Sequence, residues 1–555
     1  MRPITTLVLC LAFGAMQPAA AAVSDPNWTE TTFSTNAGGG GHTGLAWAPD
    51  GSDRLFVLEK NGRVRLLSGS LAGTPAWSTF ATMSPIFTNS ECGLIGMAFD
   101  PDFVNNQYVY FFVTVSNSEQ QILRYDASGA TGTDRTIIRS GLPTSGNNHD
   151  GGGLGFAADD KLYWSIGDLG NGTGVDADLT SLAAKVGRAN RDGTPAPGNP
   201  FDDGAGPNDE FLFARGFRNP FTMQIQPATG ELWLNVVGTS YEQIFVVRAG
   251  DHGGYNDYEN NQPAGFITPK IVYRTNGVDT RTITAAARSG DVSTFTTSAA
   301  HRFRVGSNLT IAGVADPSFN QANLYVVSVP SDTTFTASQP GPAVSSSGGS
   351  ATTLDQGGCL TGGAFYDATL AAPSYRGNFF YGDCNSGRIM RARIDPESNA
   401  VLGINYWGTG IASQVDIDSG PDGALYYTGV GTSNIYRAAF NPTAPGLVIA
   451  NQHLRLDEGG AAVTTVRLAT APAADVSVTV ARIDGDTDIG VAAGAALTFT
   501  PANWMRPQAV RLQVQVDTDA SDDVATVLVS AAGMTAVPIT ASVYDPQRIS
   551  DHGFE

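Results

Sequence analysis

The chain has 555 residues, of which 42% are hydrophobic and 15% charged, and its formal net charge at pH 7 is −20. A chain of this length does not fold around one core, so two or three domains are expected. Phosphate backbones are bound by clustered Lys and Arg, and 32 basic against 52 acidic residues argue against nucleic acid as a partner.

The N-terminus predicts an exported protein. Arg2 supplies a positive charge, residues 4–16 form an apolar segment, and residues 20–22 are small, which is the pattern of a secretory signal peptide over residues 1–22. A secreted or periplasmic location is therefore predicted. No later apolar run reaches about 18 residues, so no membrane span is expected.

One phrase recurs along the chain: a turn rich in Pro, Asp and Gly, followed by a short aromatic or β-branched strand. Units of this kind cannot bury their faces alone, and six of them predict an all-β, six-bladed β-propeller. An irregular β-sandwich is the alternative, but it does not account for the recurrence. The copies are APDGSDRLFVLEKNGRVRLL, FDPDFVNNQYVYFFVT, AADDKLYWSIGD, QPATGELWLNVVG, YRGNFFYGDCNSGRIMRARI and GPDGALYYTGVGTSNIYRAAF.

The propeller is predicted over residues 23–275 and 355–441, interrupted by a small β module rich in Ser and Thr at 276–354. Residues 447–545 alternate apolar and polar positions, as in a half-buried antiparallel β-sandwich, and residues 546–555 form a tail. The phrases LDEGG, LTFTPANW and VDTDASDD resemble Calx-β repeats. The last phrase contains four aspartates that could bind Ca²⁺: Asp517, Asp519, Asp522 and Asp523. A solvated acidic loop is equally compatible with this pattern.

The mature chain contains three cysteines. In an oxidising compartment, Cys359 and Cys384 are expected to form a disulfide between two neighbouring strands, leaving Cys92 as a free thiol. The alternative is that all three are small buried apolar residues.

Several catalytic motifs are absent from the sequence, including the His-x-x-x-His pair of zinc proteases and the Gly-x-Ser-x-Gly elbow of hydrolases. The stretch that stands out is NNHDGGGLGFAADDKLYWSIGD, residues 147–168. It places His149 on the loop entering a strand whose alternate residues face opposite ways. Such a loop points toward the axis of a propeller, where His149 could act as a general base oriented by Asp168. A structural histidine is the alternative.

Three motifs in order carry a family resemblance: residues 147–168, VGRANRDGTPAPGNPF and FARGFRNPFTMQIQP. Together they resemble the glucose/sorbosone dehydrogenase family, soluble quinoproteins that hold pyrroloquinoline quinone on a six-bladed propeller. The resemblance implies that His149 takes a proton from the sugar C1 hydroxyl while hydride passes to the quinone, and that Asp168 supports it. It also implies that Arg218 and Asn219 contact the cofactor.

The loop NVVGTSYEQI resembles the family's calcium-binding loop, which makes the backbone oxygen of Gly238 and the carboxylate of Glu242 candidate calcium ligands. This loop departs from the family pattern, because Thr239 follows the glycine and Gln243 stands where Glu is usual. A second departure is HGGY at 252–255, where the family has Asn-Tyr-Gly-Trp.

Late in the propeller, a basic residue expected near the cofactor is replaced by Asn385 or Ser386, and an Arg-x-Arg pair is absent from IASQVDIDSGPDG. A cofactor with three carboxylates needs positive partners, so these losses should weaken its binding.

Two functions are therefore predicted as alternatives. The first is a secreted quinoprotein dehydrogenase that oxidises an aldose or related polyol and passes electrons to an acceptor that the sequence does not name. The second is a non-catalytic secreted propeller that binds carbohydrate or protein through its loops and β modules. A propeller hydrolase such as a lactonase has no motif support.

Overall fold

The computed structural model describes residues 22–36, 39, 41–170, 174–259, 262–275, 277–411, 413–516 and 522–544. These residues form a six-bladed β-propeller, an inserted β module and a C-terminal β-sandwich. Within these ranges no helix is long and apolar enough to cross a membrane. The predicted signal peptide and the tail at 546–555 lie outside the described residues.

Each blade is a four-stranded antiparallel sheet, and the innermost strands of successive blades contact each other in a closed ring. The strands of the first four blades, from the axis outward, are His42–Trp47, Arg54–Glu59, Arg63–Ser68 and Ala76–Thr82; Leu94–Phe99, Tyr108–Ser116, Glu119–Asp126 and Thr133–Leu142; Leu154–Phe156, Leu162–Ile166, Lys185–Ala189 and Leu212–Arg215; and Asn219–Ile225, Leu232–Val237, Tyr241–Val247 and Ile271–Arg274.

The last two blades close the ring with strands from the N-terminus. Blade 5 has Leu360–Tyr366, Asn378–Asp383, Arg388–Ile394 and Val401–Thr409, extended by the short strand Ala22–Val23. Blade 6 has Gln414–Ser419, Leu425–Gly429 and Asn434–Phe440, and its outer strand is Trp28–Thr35, which pairs antiparallel with Asn434–Phe440. The two ends of the propeller are thus joined by the hydrogen bonds of one sheet.

The cores of the propeller lie between blades, because both faces of every sheet are covered by a neighbour. In blade 3, Leu162, Trp164 and Ile166 pack toward blade 2, whereas Tyr163 packs toward blade 4. The predicted division of this strand into two faces is therefore confirmed. Both faces are apolar, which explains why the second strands read as continuous aromatic and β-branched runs.

The inserted module is a curved seven-stranded sheet around its own apolar core. Its strands are Thr280–Ser289, Val292–Thr297, Asn308–Ala312, Gln321–Ser331, Thr334–Ser338, Val344–Ser346 and Ser350–Thr353.

The C-terminal sandwich encloses one core between two sheets, in which the strand His453–Asp457 pairs in parallel with Val537–Tyr544. Its first sheet contains Leu447–Ile449, Ala461–Leu468, Ile489–Ala493 and Gln508–Val514, and its second contains His453–Asp457, Val476–Gly485, Ala496–Phe499, Val524–Ala531 and Val537–Tyr544. The short helical segments of the described chain are Phe103–Asn106, Pro317–Phe319 and Pro373–Tyr375.

The predicted disulfide is confirmed. Cys359 and Cys384 are bonded at the start of the first strand and the end of the second strand of blade 5, and Cys92 is free and buried.

Candidate active site

His149 lies on the loop that enters the innermost strand of blade 3. Its backbone has a φ of 61°, in the left-handed region that a residue with a side chain rarely adopts. The backbone N–H of His149 donates to Oε2 of Glu91 at 2.8 Å. An unusual backbone conformation held by a neighbouring blade is typical of a residue whose side chain must point in one direction.

The imidazole of His149 is paired with Asp168, as predicted. Nδ1 lies 2.5 Å from Oδ1 of Asp168, with 15% of the histidine side chain and 1% of the aspartate side chain exposed. Burial alone would raise the pKa of Asp168, but the hydrogen bond and charge of His149 outweigh it and hold the pKa below its ordinary value. The carboxylate therefore stays ionised and fixes the ring by one nitrogen, which leaves Nε2 for other chemistry.

Arg218 and Asn219 join this pair at the entrance to blade 4. The backbone N–H of Asp168 donates to the carbonyl of Arg218 at 2.7 Å, and Asn219 Oδ1 accepts from the N–H of Gly151 at 3.2 Å. The guanidinium of Arg218 donates to the carbonyls of Val237 and Gly238 at 3.2 and 3.1 Å. The structure thus brings His149, Asp168, Arg218, Asn219 and Gly238 together at one edge of the propeller.

The glycines beside His149 serve packing within the protein. A Cβ on Gly151 would lie 2.2 Å from the carbonyl oxygen of Ser165. A Cβ on Gly153 would lie 2.6 Å from the Ser165 hydroxyl. These positions are glycine because the loop lies directly on the neighbouring strand.

Glu242 is fully buried between blades 4 and 5. One oxygen, Oε2, accepts from the N–H of Leu360 at 3.1 Å, and Oε1 has no hydrogen-bond partner among the described residues. Burial raises the pKa of Glu242 to about 8. A cation bound at Oε1 would favour the ionised form of this buried carboxyl, so Glu242 is a candidate ligand for a cation.

The adjoining loop is held by a carboxylate that sequence reasoning missed. Oε1 of Glu259 accepts from the N–H groups of Thr239 and of Ser240, the latter at 3.0 Å. In the described part of the chain, no group of three or more His, Cys, Asp or Glu is arranged to hold a metal ion. Asp517 and Asp519 of the sandwich lie outside the described residues.

Glu91 is the second residue that sequence reasoning missed. It precedes the innermost strand of blade 2, and its Oε2 accepts from Asn219 Nδ2 at 3.0 Å in addition to the backbone of His149. Burial raises the pKa of its carboxyl. The available signal was an acidic residue on a loop that enters an innermost strand, the position that also drew attention to His149.

Asn385 and Ser386, where a cation was expected, follow the second strand of blade 5, at the same edge of the propeller as His149. The backbone N–H groups of Asn385 and Ser386 both donate to Oδ1 of Asp383, at 3.1 and 2.8 Å. The stretch at 411–423 contributes Asp416 and Asp418 and contains no Lys or Arg.

A separate cavity of about 510 Å³ extends along the axis below the His149 loop. Gly152 and Gly153 line it at that end, Arg455 of the sandwich lines it at the other, and Asp416 and Asp418 lie on its wall. His149 does not line this cavity, so the two features are distinct.

Residues 42–312 match the family model described as Glucose / Sorbosone dehydrogenase. The match starts at the innermost strand of blade 1 and ends within the inserted module. The resemblance based on the three motifs covers residues 23–273 and 355–440, without the insert, so the two ranges differ at their C-terminal limits.

Curated relatives match about two fifths of the chain. An uncharacterized protein of Synechocystis is 28% identical over 257 residues, covering 41% of this chain and 60% of the relative. Quinoprotein glucose dehydrogenase B of Acinetobacter calcoaceticus is 30% identical over 255 residues, covering 38% of this chain and 51% of the relative. The chain thus spans between half and three fifths of the length of these relatives.

Among solved structures, the apo form of the soluble aldose sugar dehydrogenase of Escherichia coli has a TM-score of 0.51 at 17% identity, covering 74% of this chain and 99% of that one. At this identity the likeness establishes the propeller fold.

Proposed function

We propose that this chain is an exported quinoprotein dehydrogenase that oxidises an aldose or related polyol. The observation that carries the proposal is the pairing of His149 with Asp168 beside Arg218 and Asn219, within the range that matches the family model. Export is supported by the Cys359–Cys384 disulfide, because such bonds persist in oxidising compartments. The predicted domain boundaries and the Calx-β character of the sandwich are part of the same proposal.

The residues present fit a quinone with calcium in two respects. Arg218 supplies a guanidinium that can bond to quinone or carboxylate oxygens, and Glu242 supplies a buried carboxylate oxygen without a donor, next to the Gly238 loop. When bound, pyrroloquinoline quinone supplies a two-electron acceptor for hydride, and calcium supplies a Lewis acid that polarises it.

The chain's own residues supply proton transfer and orientation. With Nδ1 held by Asp168, Nε2 of His149 can accept the proton of a sugar hydroxyl, and the ionised carboxylate of Asp168 stabilises the imidazolium that forms. Glu91 and Asn219 fix the loop on which His149 lies.

The proposal is tested by adding pyrroloquinoline quinone and Ca²⁺ to the purified protein while following quinone absorbance and dye reduction across a panel of aldoses. We expect saturable quinone binding and turnover, and a loss of turnover of 10²-fold or more in His149→Ala, in the range of general-base contributions. The matched control is His453→Ala, which removes another His–Asp pair, with Nδ1 2.7 Å from Asp367, outside the site. Equal turnover in the two variants would contradict the role of His149.

The second candidate function is a non-catalytic propeller that binds carbohydrate or protein. It is favoured by the neutral residues Asn385 and Ser386 and by the acidic character of 411–423, which leave few cations for a tricarboxylate. Absence of quinone binding at micromolar concentration, together with saturable binding on a glycan array, would select it.

A further inference from the structure

The loops that enter blades 2 and 3 are joined by several hydrogen bonds. The N–H of Glu91 donates to the carbonyl of Asn147 at 3.1 Å, and the thiol of Cys92 donates to Oδ2 of Asp150 at 2.8 Å. These bonds hold Asn147 and Asp150, which lie before and after His149 in the sequence. The His149 loop therefore depends on blade 2 for its shape.

The carboxylate of Glu91 bonds to groups in two other blades. Its Oε2 accepts from the backbone N–H of His149 at 2.8 Å and from Nδ2 of Asn219 at 3.0 Å. The other end of the Asn219 amide, Oδ1, accepts from the N–H of Gly151 at 3.2 Å. One carboxylate thus connects the entry loops of blades 2, 3 and 4.

We propose that Glu91 is a positioning residue for the oxidation reaction, which sets the direction of the His149 imidazole through its backbone and keeps Asn219 in register with it. This inference rests on the proposed function. It assigns Glu91 no contact with the substrate.

The need for such a residue follows from the backbone of His149. At a φ of 61°, a residue with a side chain is less stable than in the usual regions by about 1 kcal/mol or more, so the surroundings must hold it there. The N–H of His149 is the group that can be held without touching the ring. A carboxylate oxygen accepts such a bond more strongly than a neutral acceptor does.

Three variants separate the reach of the side chain from its charge. Glu91→Ala removes the acceptor, Glu91→Asp keeps the charge but shortens the side chain, and Glu91→Gln keeps an oxygen that can accept both bonds. A displacement of about 1 Å can cost on the order of 100-fold in rate. We expect that loss in kcat for the Ala and Asp variants, with KM for the sugar changed less than about threefold. For the Gln variant we expect recovery to within about tenfold of the wild type.

The matched control is Glu119→Ala. Glu119 is a carboxylate of the same blade, and it bonds to Gln121 and to the backbone of Gly141 on a hairpin. Its removal should leave kcat unchanged. Wild-type kcat in Glu91→Asp, or a loss in Glu91→Gln as large as in Glu91→Ala, would overturn the proposal.

A second measurement uses the protein without quinone, so that it does not depend on the dehydrogenase activity. NMR signals of the His149 ring, assigned by their loss in His149→Ala, should move in Glu91→Asp and return toward the wild-type position in Glu91→Gln. If wild-type turnover is absent but these shifts occur, the proposed function fails and the positioning role stands. If the ring signals are the same in all Glu91 variants that fold, the positioning role is wrong.

Discussion

Asp416 should make the stability of the propeller depend on pH. It lies on the innermost strand of blade 6 and lines the axial cavity, where Oδ2 accepts from the N–H of Leu45 at 2.9 Å and Oδ1 from the N–H of Ile417 at 2.9 Å. The first bond ties blade 6 to blade 1. Burial raises the pKa of Asp416 to about 8, because two backbone donors do not compensate for the loss of water.

The sign and size of the effect follow from the difference between folded and unfolded chains. An unfolded aspartate has a pKa of about 3.9, so between pH 4 and 8 unfolding releases a proton, and stability falls as the pH rises. At 1.36 kcal/mol for each pH unit, the loss by pH 8 is at most on the order of 5 kcal/mol. Asp416→Asn stays neutral at every pH, so the variant should lack this decline and be more stable than the wild type at pH 8.

The assay is thermal unfolding of both proteins between pH 5 and 8.5, followed by tryptophan fluorescence. Burial raises the pKa of the neighbouring Asp418 to about 6, so in Asp418→Asn the decline should become smaller only below about pH 6, between pH 5 and 6 of the measured range. Asp395→Asn, on an exposed turn, is the control and should not change the pH dependence. The reasoning is refuted if Asp416→Asn shifts the unfolding temperature by the same amount at every pH.

Two other predictions concern the connections of blade 5 and of the sandwich. Replacing both Cys359 and Cys384 with Ser opens a loop of 25 residues and should lower the free energy of unfolding by about 3 kcal/mol, as measured against the wild type with and without reductant. Arg191 of blade 3 forms ion pairs with Asp160 at 3.5 Å and with Asp457 of the sandwich, so Arg191→Ala should speed proteolysis at residues 441–446. Burial, with the neighbouring Asp457, raises the pKa of Asp160 to about 9. Above that pH the two carboxylates repel each other, so cleavage of the wild type should also become faster. Cleavage rates that change neither in the variant nor with pH would contradict the role of this contact.

The recurring phrase predicted the propeller because it marks one particular strand. Each copy falls on the second strand of a blade, which is buried on both faces, and on the turn that precedes it. Burial on both sides demands continuous aromatic and β-branched residues, and the turn demands Pro, Asp and Gly. These requirements are local, so they can be read from short stretches of sequence.

The closure of the ring could not be predicted in this way. The strand Trp28–Thr35 pairs with Asn434–Phe440, about 400 positions away, and no local pattern specifies that register. The innermost strand of blade 3, Leu154–Phe156, is three residues long and carries no periodic signal either.

The residues of the candidate site also differ in whether a short stretch of sequence can reveal them. His149 and Asp168 flank the first two strands of blade 3, Leu154–Phe156 and Leu162–Ile166, so their pairing could be inferred from a single stretch of sequence. Glu91 lies 58 positions before His149, and its role depends on two blades standing side by side. The pairing of His149 with Asp168 could be inferred because both lie in blade 3, whereas Glu91 was missed because the groups it binds lie in blades 3 and 4.

The direction of the strands decides where the two extra modules stand relative to this site. The innermost strand of each blade starts at the edge of the propeller where His149 lies. Because neighbouring strands run in opposite directions, the fourth strand of a blade ends at that edge. At the end of blade 4, Arg274 pairs with Tyr241, beside the Gly238 loop. The inserted module leaves from that edge and returns to it at Leu360, which also bonds to Glu242.

Blade 6 takes its outer strand from the N-terminus, so its third strand is the last one before the sandwich, and it ends at the opposite edge. The inserted module can therefore affect access to His149 and the Glu242 carboxylate, whereas the sandwich, with Arg455 at the far end of the axial cavity, cannot reach them.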